Sequence, residues 1–503
     1  DGIRDLVRSR GLGDVYKRQS VENLASDWDN GRNLGQYCRY NLQDAKITYE
    51  LAKELLPNIV ELVKIVGLPI SSIIGMGFSQ LVEWYLIRKA PEFGEVAPNK
   101  PGHAEIKRRT RQTYAGGFVY EPKPALYKDV VIFDFRSLYP SIIASHNISP
   151  ATFRCDCCEE NLAPVEKARY WFCKKKKGFI PKMIEELIRR RMRVKEIMKK
   201  TGDEKAKVLL DARQESLKVL SNSFYGYLGF AAARWYSIES ALSVTAYGRH
   251  YIKSMIEKAE KQGFKVIYSD TDSVFLELGK KTKEDALKFR DSVNLELPEL
   301  MELDYEGMFP AALFVSAKAK EYGAKKKYAL MSSEGFLTIK GFETVRRNWS
   351  DIAKETQEGV LKLILESGNA KKAVEHVKKV IAELKDRKIP LEKTVMKTQL
   401  QKSVSDYESV GPHVAVAKRM IDSGTEVFPG MLIRWVVVSG TGKIRDRAKH
   451  LDELKNGESY DPNYYIDNQV VPAVESILAV FGHSKDDLVS DRKQSSLEGF
   501  MKK

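Results

Sequence analysis

Two short apolar runs, Lys265-Val266-Ile267-Tyr268 and Ser273-Val274-Phe275-Leu276, flank the polar triplet Asp270-Thr271-Asp272. Runs of this length, rich in β-branched and aromatic residues and bounding a tight polar turn, read as a strand, a turn and a strand. A third run, Val130-Val131-Ile132-Phe133, is a buried-strand signal that ends in Asp134. If these strands lie side by side, three carboxylates converge. Such charges repel one another unless a cation sits among them. Two metal ions about 3.5–4 Å apart require acids of this kind, held rigidly on adjacent strand ends. An Asp-x-Asp in a turn also arises from local hydrogen bonding alone, so the surrounding sequence has to decide.

The rest of the chain alternates helical and extended signals. Apolar residues recur at Leu51, Leu55, Ile59, Leu62 and Val66, which predicts a helix over 37–66. Pro69 ends it, and a second apolar helix follows through Leu81, Trp84, Tyr85 and Ile87. Residues 93–128 read as a polar linker with short strands. A basic helix over 181–200 and another over 203–224, separated by Thr201-Gly202, form a helical hairpin. A further helix covers 238–261. Beyond about residue 350 the pattern is mostly helical, over 352–367, 370–384 and 464–481. Residues 1–19 fit nothing that follows and read as a non-native scar of sequence assembly.

The formal net charge is +15, which points to a polyanionic partner, nucleic acid first among them. No stretch approaches the roughly 18 apolar residues of a membrane span, and no signal peptide is visible. The chain therefore reads as cytoplasmic, with no membrane partner. Five cysteines in 503 residues do not make a disulfide scaffold.

The wording around the acids is specific. Asp134-Phe135-Arg136-Ser137-Leu138-Tyr139-Pro140-Ser141-Ile142-Ile143 resembles motif A of family B DNA polymerases. Lys218-Val219-Leu220-Ser221-Asn222-Ser223-Phe224-Tyr225-Gly226 resembles motif B, and Tyr268-Ser269-Asp270-Thr271-Asp272-Ser273 resembles motif C. They stand in the family's order, and the likeness, strongest to archaeal members, runs from about residue 35 onward. It implies an α+β, right-hand polymerase with an antiparallel-sheet palm, helical fingers and a mostly helical thumb. The implied domains are a C-terminal remnant of a 3′–5′ exonuclease domain at 20–63, a linker and the start of the palm at 64–128, palm at 129–179, fingers at 180–229, palm again at 230–349, thumb at 350–490, and a flexible tail at 491–503.

By the same resemblance, Asp134, Asp270 and Asp272 are catalytic. Asp134, Asp272, the Phe135 carbonyl and Glu306 are ligands of two Mg²⁺ ions, for which Mn²⁺ could substitute. Glu306 also reads as a solvated acid in a turn. Arg191, Lys195 and Lys218 contact the triphosphate of an incoming deoxynucleotide, and the first two share a helix face at i, i+4. Tyr139 lies under the sugar as a steric gate against a 2′-hydroxyl, with Asn222 and Tyr225 beside the nascent base pair. Tyr114, Gly116 and Gly117 resemble a template-contacting Tyr-x-Gly-Gly segment, and Lys326 and Tyr328 a duplex-contacting Lys-x-Tyr element. Segments 411–419 and 464–469 match thumb segments that grip primer-template DNA by its backbone.

Three features stand apart. Tyr40 and Asp44 resemble the third exonuclease motif without the first two, so no proofreading is expected of this chain. Gln494, Leu497, Phe500 and Met501 resemble a box that binds a sliding clamp. Cys155, Cys157, Cys158 and Cys173 admit a zinc site, a disulfide or reduced thiols, and C-x-C-C is not a usual zinc knuckle. The rival readings are a nuclease, which lacks the acids just described, and a catalytically dead DNA-binding protein, which has no reason to keep all three aspartates.

Overall fold

In the computed structural model, residues 28–316, 323–455 and 457–489 are described. Internal contacts divide the chain into two units. The first comprises Asp1–Gly116, Arg136–Gly248 and Pro298–Glu302; the second comprises Gly117–Phe135, Arg249–Leu297 and Leu303–Lys503.

The first unit is helical. Its elements are α1 (Leu34–Val66), α2 (Phe78–Lys89), α3 (His103–Thr110), α4 (Leu138–Ser145), α5 (Phe179–Lys200), α6 (Glu204–Leu228) and the first part of α7 (Ile238–Lys261). Helices α5 and α6 pack side by side, as the Thr-Gly break predicts. Thr201 is extended and stops α5, and the Asp203 carboxylate caps α6 by accepting from the Lys205 N–H at 2.9 Å. Ile180, Met183, Ile184, Leu187 and Val194 form the buried stripe of α5. Helix α6 also packs on α1, where Glu61 is only 4% exposed. Arg213 donates to both Glu61 oxygens at 2.8 and 3.3 Å, and Lys64 lies at 2.7 Å. Burial pushes the Glu61 carboxyl up, but the bonds from Arg213 and then Lys64 outweigh it and hold its pKa below the ordinary value.

Helix α3 lies where a linker was expected. It buries no residue and is supported by Glu105 bonding to Arg108 and Arg109 at 2.8 Å. A helix without an apolar stripe leaves no periodic signal to read.

The second unit is built on a seven-stranded, wholly antiparallel sheet. Its strands are β1 (Val119–Tyr120), β2 (Ala125–Phe135), β3 (Lys265–Asp270), β4 (Ser273–Glu277), β5 (Leu303–Ser316), β6 (Gly323–Met331) and β7 (Leu337–Lys340), in the order β1-β3-β4-β2-β5-β6-β7. Val130, Ile132, Tyr268, Phe275, Phe314 and the half-buried Tyr328 form an aromatic-rich cluster. Phe133 meets Phe289 of α8 (Lys283–Glu296), ring centroids 6.2 Å apart. Alternate residues of β5 and β6, including Leu313, Val315, Ala329 and Met331, join a larger core. That core includes α9 (Asp351–Ser367), α10 (Lys371–Lys385) and α11 (Pro412–Asp422).

Two expectations change here. Glu306 lies in β5 and not in a turn. The C-terminal third is helical as expected over 351–367, 371–385 and 462–481, but it also holds a three-stranded antiparallel sheet of β8 (Met396–Gln399), β9 (Leu432–Val437) and β10 (Ala448–Lys449), in the order β10-β9-β8. No helix among the described residues is long and apolar enough to cross a membrane.

Candidate active site

The acids of the second unit are set by strand register. Asp134 of β2 stands opposite Ser273 of β4, and Ser273 stands opposite Asp270 of β3. Directly opposed residues point to the same face of a sheet, so Asp134 and Asp270 lie in one row across three strands. Asp304 of β5, also opposite Asp134, extends the row. The next row inward holds Ile132, Phe275 and Tyr268, an apolar floor beneath the charges.

The turn is held as tightly as the strands. Thr271 adopts a left-handed φ of 62° and donates its N–H to the Phe118 carbonyl at 2.9 Å. The Asp272 N–H donates to the Asp270 carbonyl at 2.7 Å, and the Asp272 carbonyl accepts from the Phe135 N–H at 2.8 Å. Backbone bonds therefore tie the ends of two sequence-distant segments together.

Asp270 is engaged on both oxygens. Thr271 Oγ1 donates to one at 3.0 Å; the Tyr268 hydroxyl donates to the other at 3.4 Å, and Lys326 Nζ lies 3.2 Å from it. Tyr268 in turn accepts from the Lys326 N–H at 3.1 Å. Lys326 holds a left-handed φ of 60°, and its carbonyl lies 2.0 Å from where a Cβ on Gly341 would be, so only glycine fits there. Tyr328 packs with Tyr268, Phe275 and Phe314 at 5.2–5.7 Å, and burial pushes its hydroxyl up to about 12.

Glu306 is the extra residue of a β-bulge. Ile132 pairs with Gly307 and Phe133 with Tyr305, which leaves Glu306 without an opposite number on β2. Its charge still reaches the turn. The Asp272 carboxyl is raised above the ordinary carboxylate value, first by burial and then by the negative charges of Asp270 and Glu306, with Lys326 opposing them. Repulsion among oxygen donors at one sheet end, on a partly buried carboxyl, is the chemistry that a hard divalent cation relieves. The residues present fit such an ion.

In the first unit, the basic residues converge on the helical hairpin. Arg191 of α5 donates to Ser137 Oγ at 3.0 Å and to Gln214 Oε1 of α6 at 3.3 Å. Lys195, one turn on, lines the same cleft as Arg191, Ser137 and Arg136. Lys218 lies 3.3 Å from Glu215. Lys218, Asn222 and Tyr225 share one face of α6 at i, i+4 and i+7. The Tyr225 ring lies 4.4 Å from that of Tyr139, and its hydroxyl is 3.2 Å from the Tyr114 hydroxyl. A Cβ at Gly248 would lie 3.2 Å from the Tyr139 ring, so glycine makes room for it. At Gly116 nothing lies within 4 Å of a Cβ position; Gly116 and Gly117 are both exposed.

Sequence reasoning did not single out Tyr268 as a donor to Asp270, Lys326 as its ion-pair partner, or Ser137 and Gln214 as the groups that hold Arg191. Tyr268 and Asp270 share β3, two residues apart, but the other pairings span separate segments and leave no local signal. Tyr40 and Asp44 lie on α1. Gln494, Leu497, Phe500 and Met501 lie outside the described residues.

The sequence matches the description "DNA polymerase family B" over residues 68–481. The DNA polymerase of Thermococcus gorgonarius is 46% identical over 484 residues, covering 95% of this chain and 61% of the relative. DNA polymerase 1 of Pyrococcus abyssi is 45% identical over 498 residues, covering 98% and 63%. The solved family B DNA polymerase from the hyperthermophilic archaeon Pyrobaculum calidifontis aligns with a TM-score of 0.69 at 33% identity, over 92% of this chain and 57% of that one. This chain spans about three fifths of the length of the curated relatives it matches.

Proposed function

The chain belongs to DNA polymerase family B, and from that premise we propose that it carries template-directed DNA synthesis. The primer 3′-hydroxyl attacks the α-phosphate of an incoming deoxynucleotide, a new phosphodiester bond forms, and pyrophosphate leaves. In this reading 129–179 and 230–349 form the palm, 180–229 the fingers and 350–490 the thumb. The observation that carries the proposal is the row of Asp134 and Asp270 across β2, β4 and β3, with Asp272 raised first by burial and then by its acidic neighbours.

Asp134, Asp272, Glu306 and the Phe135 carbonyl would hold the divalent ions, two Mg²⁺ or in their place Mn²⁺. Those ions, when bound, supply charge neutralisation for the phosphate oxygens and lower the pKa of the attacking hydroxyl. Asp270 has a different task. With its oxygens engaged by Thr271, Tyr268 and Lys326, it orients the turn and places a lysine beside the acids. Lys326 and Tyr328 would contact the duplex, and Tyr114, Gly116 and Gly117 the template.

Arg191, Lys195 and Lys218 would bind the triphosphate. The guanidinium of Arg191, already oriented by Ser137 and Gln214, offers a planar donor fork of the kind that phosphate oxygens accept from. Tyr139, packed against Tyr225, would exclude a 2′-hydroxyl by position. Asn222 and Tyr225 would line the nascent base pair. The C-terminal box at 494–501 would tether the chain to a sliding clamp.

The test is extension of a labelled primer-template with Mg²⁺ and deoxynucleotides, run beside Asp272→Ala. The parent should extend the primer and the variant should not, while both bind DNA. Extension by both sinks the assignment of Asp272. A folded parent that binds DNA and never extends it favours the DNA-binding reading instead.

A further inference from the structure

The segment between α4 and α5 gathers four of the chain's five cysteines. The Sγ atoms of Cys155, Cys157, Cys158 and Cys173 all lie within 4.8 Å of one another, although Cys173 is fifteen residues beyond Cys158. All are free thiols, and the fifth, Cys38, stands exposed on α1. A short ribbon brings them together. Phe153 pairs with Phe172 and Leu162 with Trp171, both antiparallel. Trp171 Nε1 donates to the Cys155 carbonyl at 2.8 Å, the Cys173 N–H to Thr152 at 2.9 Å, and Asn161 to the Phe172 carbonyl at 2.7 Å.

We propose that these four cysteines bind a single zinc ion, a site separate from the acids of the sheet. Four thiolates around one ion at about 2.3 Å make a tetrahedron with edges of about 3.8 Å. The Cys157–Cys158 and Cys157–Cys173 sulfurs stand 3.6 and 3.7 Å apart. The thiolates of a four-iron cluster bind different corners of a cube and stand farther apart than the ligands of one ion, so this spacing selects a mononuclear site.

The surroundings suit thiolate ligands. The Lys174 N–H donates to Cys158 Sγ and the Lys176 N–H to Cys173 Sγ, each at 3.3 Å. Outer bonds of this kind orient ligating sulfur and take up its charge. Four thiolates and a divalent ion leave two negative charges, and Lys174-Lys175-Lys176-Lys177 follow Cys173 directly. Asn147 carries the position onward. Its Nδ2 donates to the carbonyls of Cys173 and Lys176 at 2.6 and 2.9 Å, and its Oδ1 accepts from the Gly178 N–H at 2.8 Å, one residue before α5 begins. The ion would therefore pin the entry to the helix that carries Arg191 and Lys195.

The test is metal content of the purified chain after dialysis against EDTA. About one zinc per chain is expected, released by an organomercurial and read with a chromogenic chelator. Cys158→Ser combined with Cys173→Ser should lose it, and Cys38→Ser should keep it. If the double variant does not fold, the mercurial titration of the parent decides alone. Less than about one zinc per ten chains overturns the proposal, whether the five thiols then titrate freely or the mass shows paired hydrogens lost to disulfides. Iron with acid-labile sulfide overturns it as well.

Discussion

Asp134 sits on a strand hydrogen-bonded to a neighbour on each side, and Asp272 in a turn closed by three backbone bonds. Lys218 and Arg191 stand on helices, and other side chains engage them: Glu215 the first, Ser137 and Gln214 the second. The acids are placed by the main chain; the cations are placed by rotamers. Under the proposed function the acids would hold metal ions, where reaction geometry tolerates little error, and a ladder suits that task. Under the same proposal the long basic side chains would follow a flexible polyphosphate and have no need of the same rigidity. The two regions also respond oppositely to acid. Glu61 behind α6 has a lowered pKa, so its stabilising contribution is present above the ordinary carboxylate value and is lost as pH falls through the lowered one. Asp272 has a raised pKa, so its contribution is present at low pH and lost as pH rises through the raised value.

The largest effect should come from breaking the row. Asp134→Ala should slow primer extension by at least ~10³-fold, about 4 kcal/mol of barrier, with DNA affinity little changed; a loss below tenfold would place the essential acids elsewhere. Arg213→Ala removes the main partner of a buried carboxylate and should destabilise the chain by about 2 kcal/mol at neutral pH, after discount for the partly exposed arginine. Denaturant melts from pH 7 to pH 3 should show that deficit shrinking as Glu61 protonates; a constant deficit would mean lost packing and not lost charge. Lys218→Ala should raise KM for deoxynucleotide about tenfold, near 1.4 kcal/mol, and leave stability alone. A fall in kcat with KM unchanged would show that the cation acts on the transition state and is not a flexible clamp. Tyr268→Phe deletes a donor to Asp270 and an acceptor for Lys326, and should cost about 1 kcal/mol of stability; it tests whether a buried hydroxyl contributes to holding the acids in register.

Much of this was legible from residues alone. The apolar runs at 130–133, 265–268 and 273–276 all lie in strands, and the helical hairpin begins and ends within a few residues of its expected bounds. The three aspartates were picked out by motif wording, and the adjacency of their strands, a condition in the sequence, is met by the register of β2, β4 and β3. Helix α3 was missed because it buries nothing. Strand β5 was missed because Asp304, Glu306 and Gly307 interrupt its alternation just where the bulge falls. The pairing of β8 with β9 joins segments more than thirty residues apart, and strands of four and six residues give little periodicity to detect. The ion pair of Lys326 with Asp270 depends on the φ of Lys326 and on Gly341. The four cysteines were grouped in the sequence, but the ribbon that brings their sulfurs together is too short to announce itself. Non-local pairings are what one sequence conceals.

The bulge at Glu306 has a consequence for how this sheet end can change over time. On one side of it Tyr305 faces Phe133, and on the other Gly307 faces Ile132. Those two pairings are already those of an uninterrupted ladder with Glu306 omitted. Deleting that residue would close the gap without sliding either half of the strand, so Asp304 would stay opposite Asp134 and Leu313 would keep its place in the core. Glu306 is thus a removable unit of charge: a lineage could gain or drop this carboxylate in one step and leave every other acid where it stands.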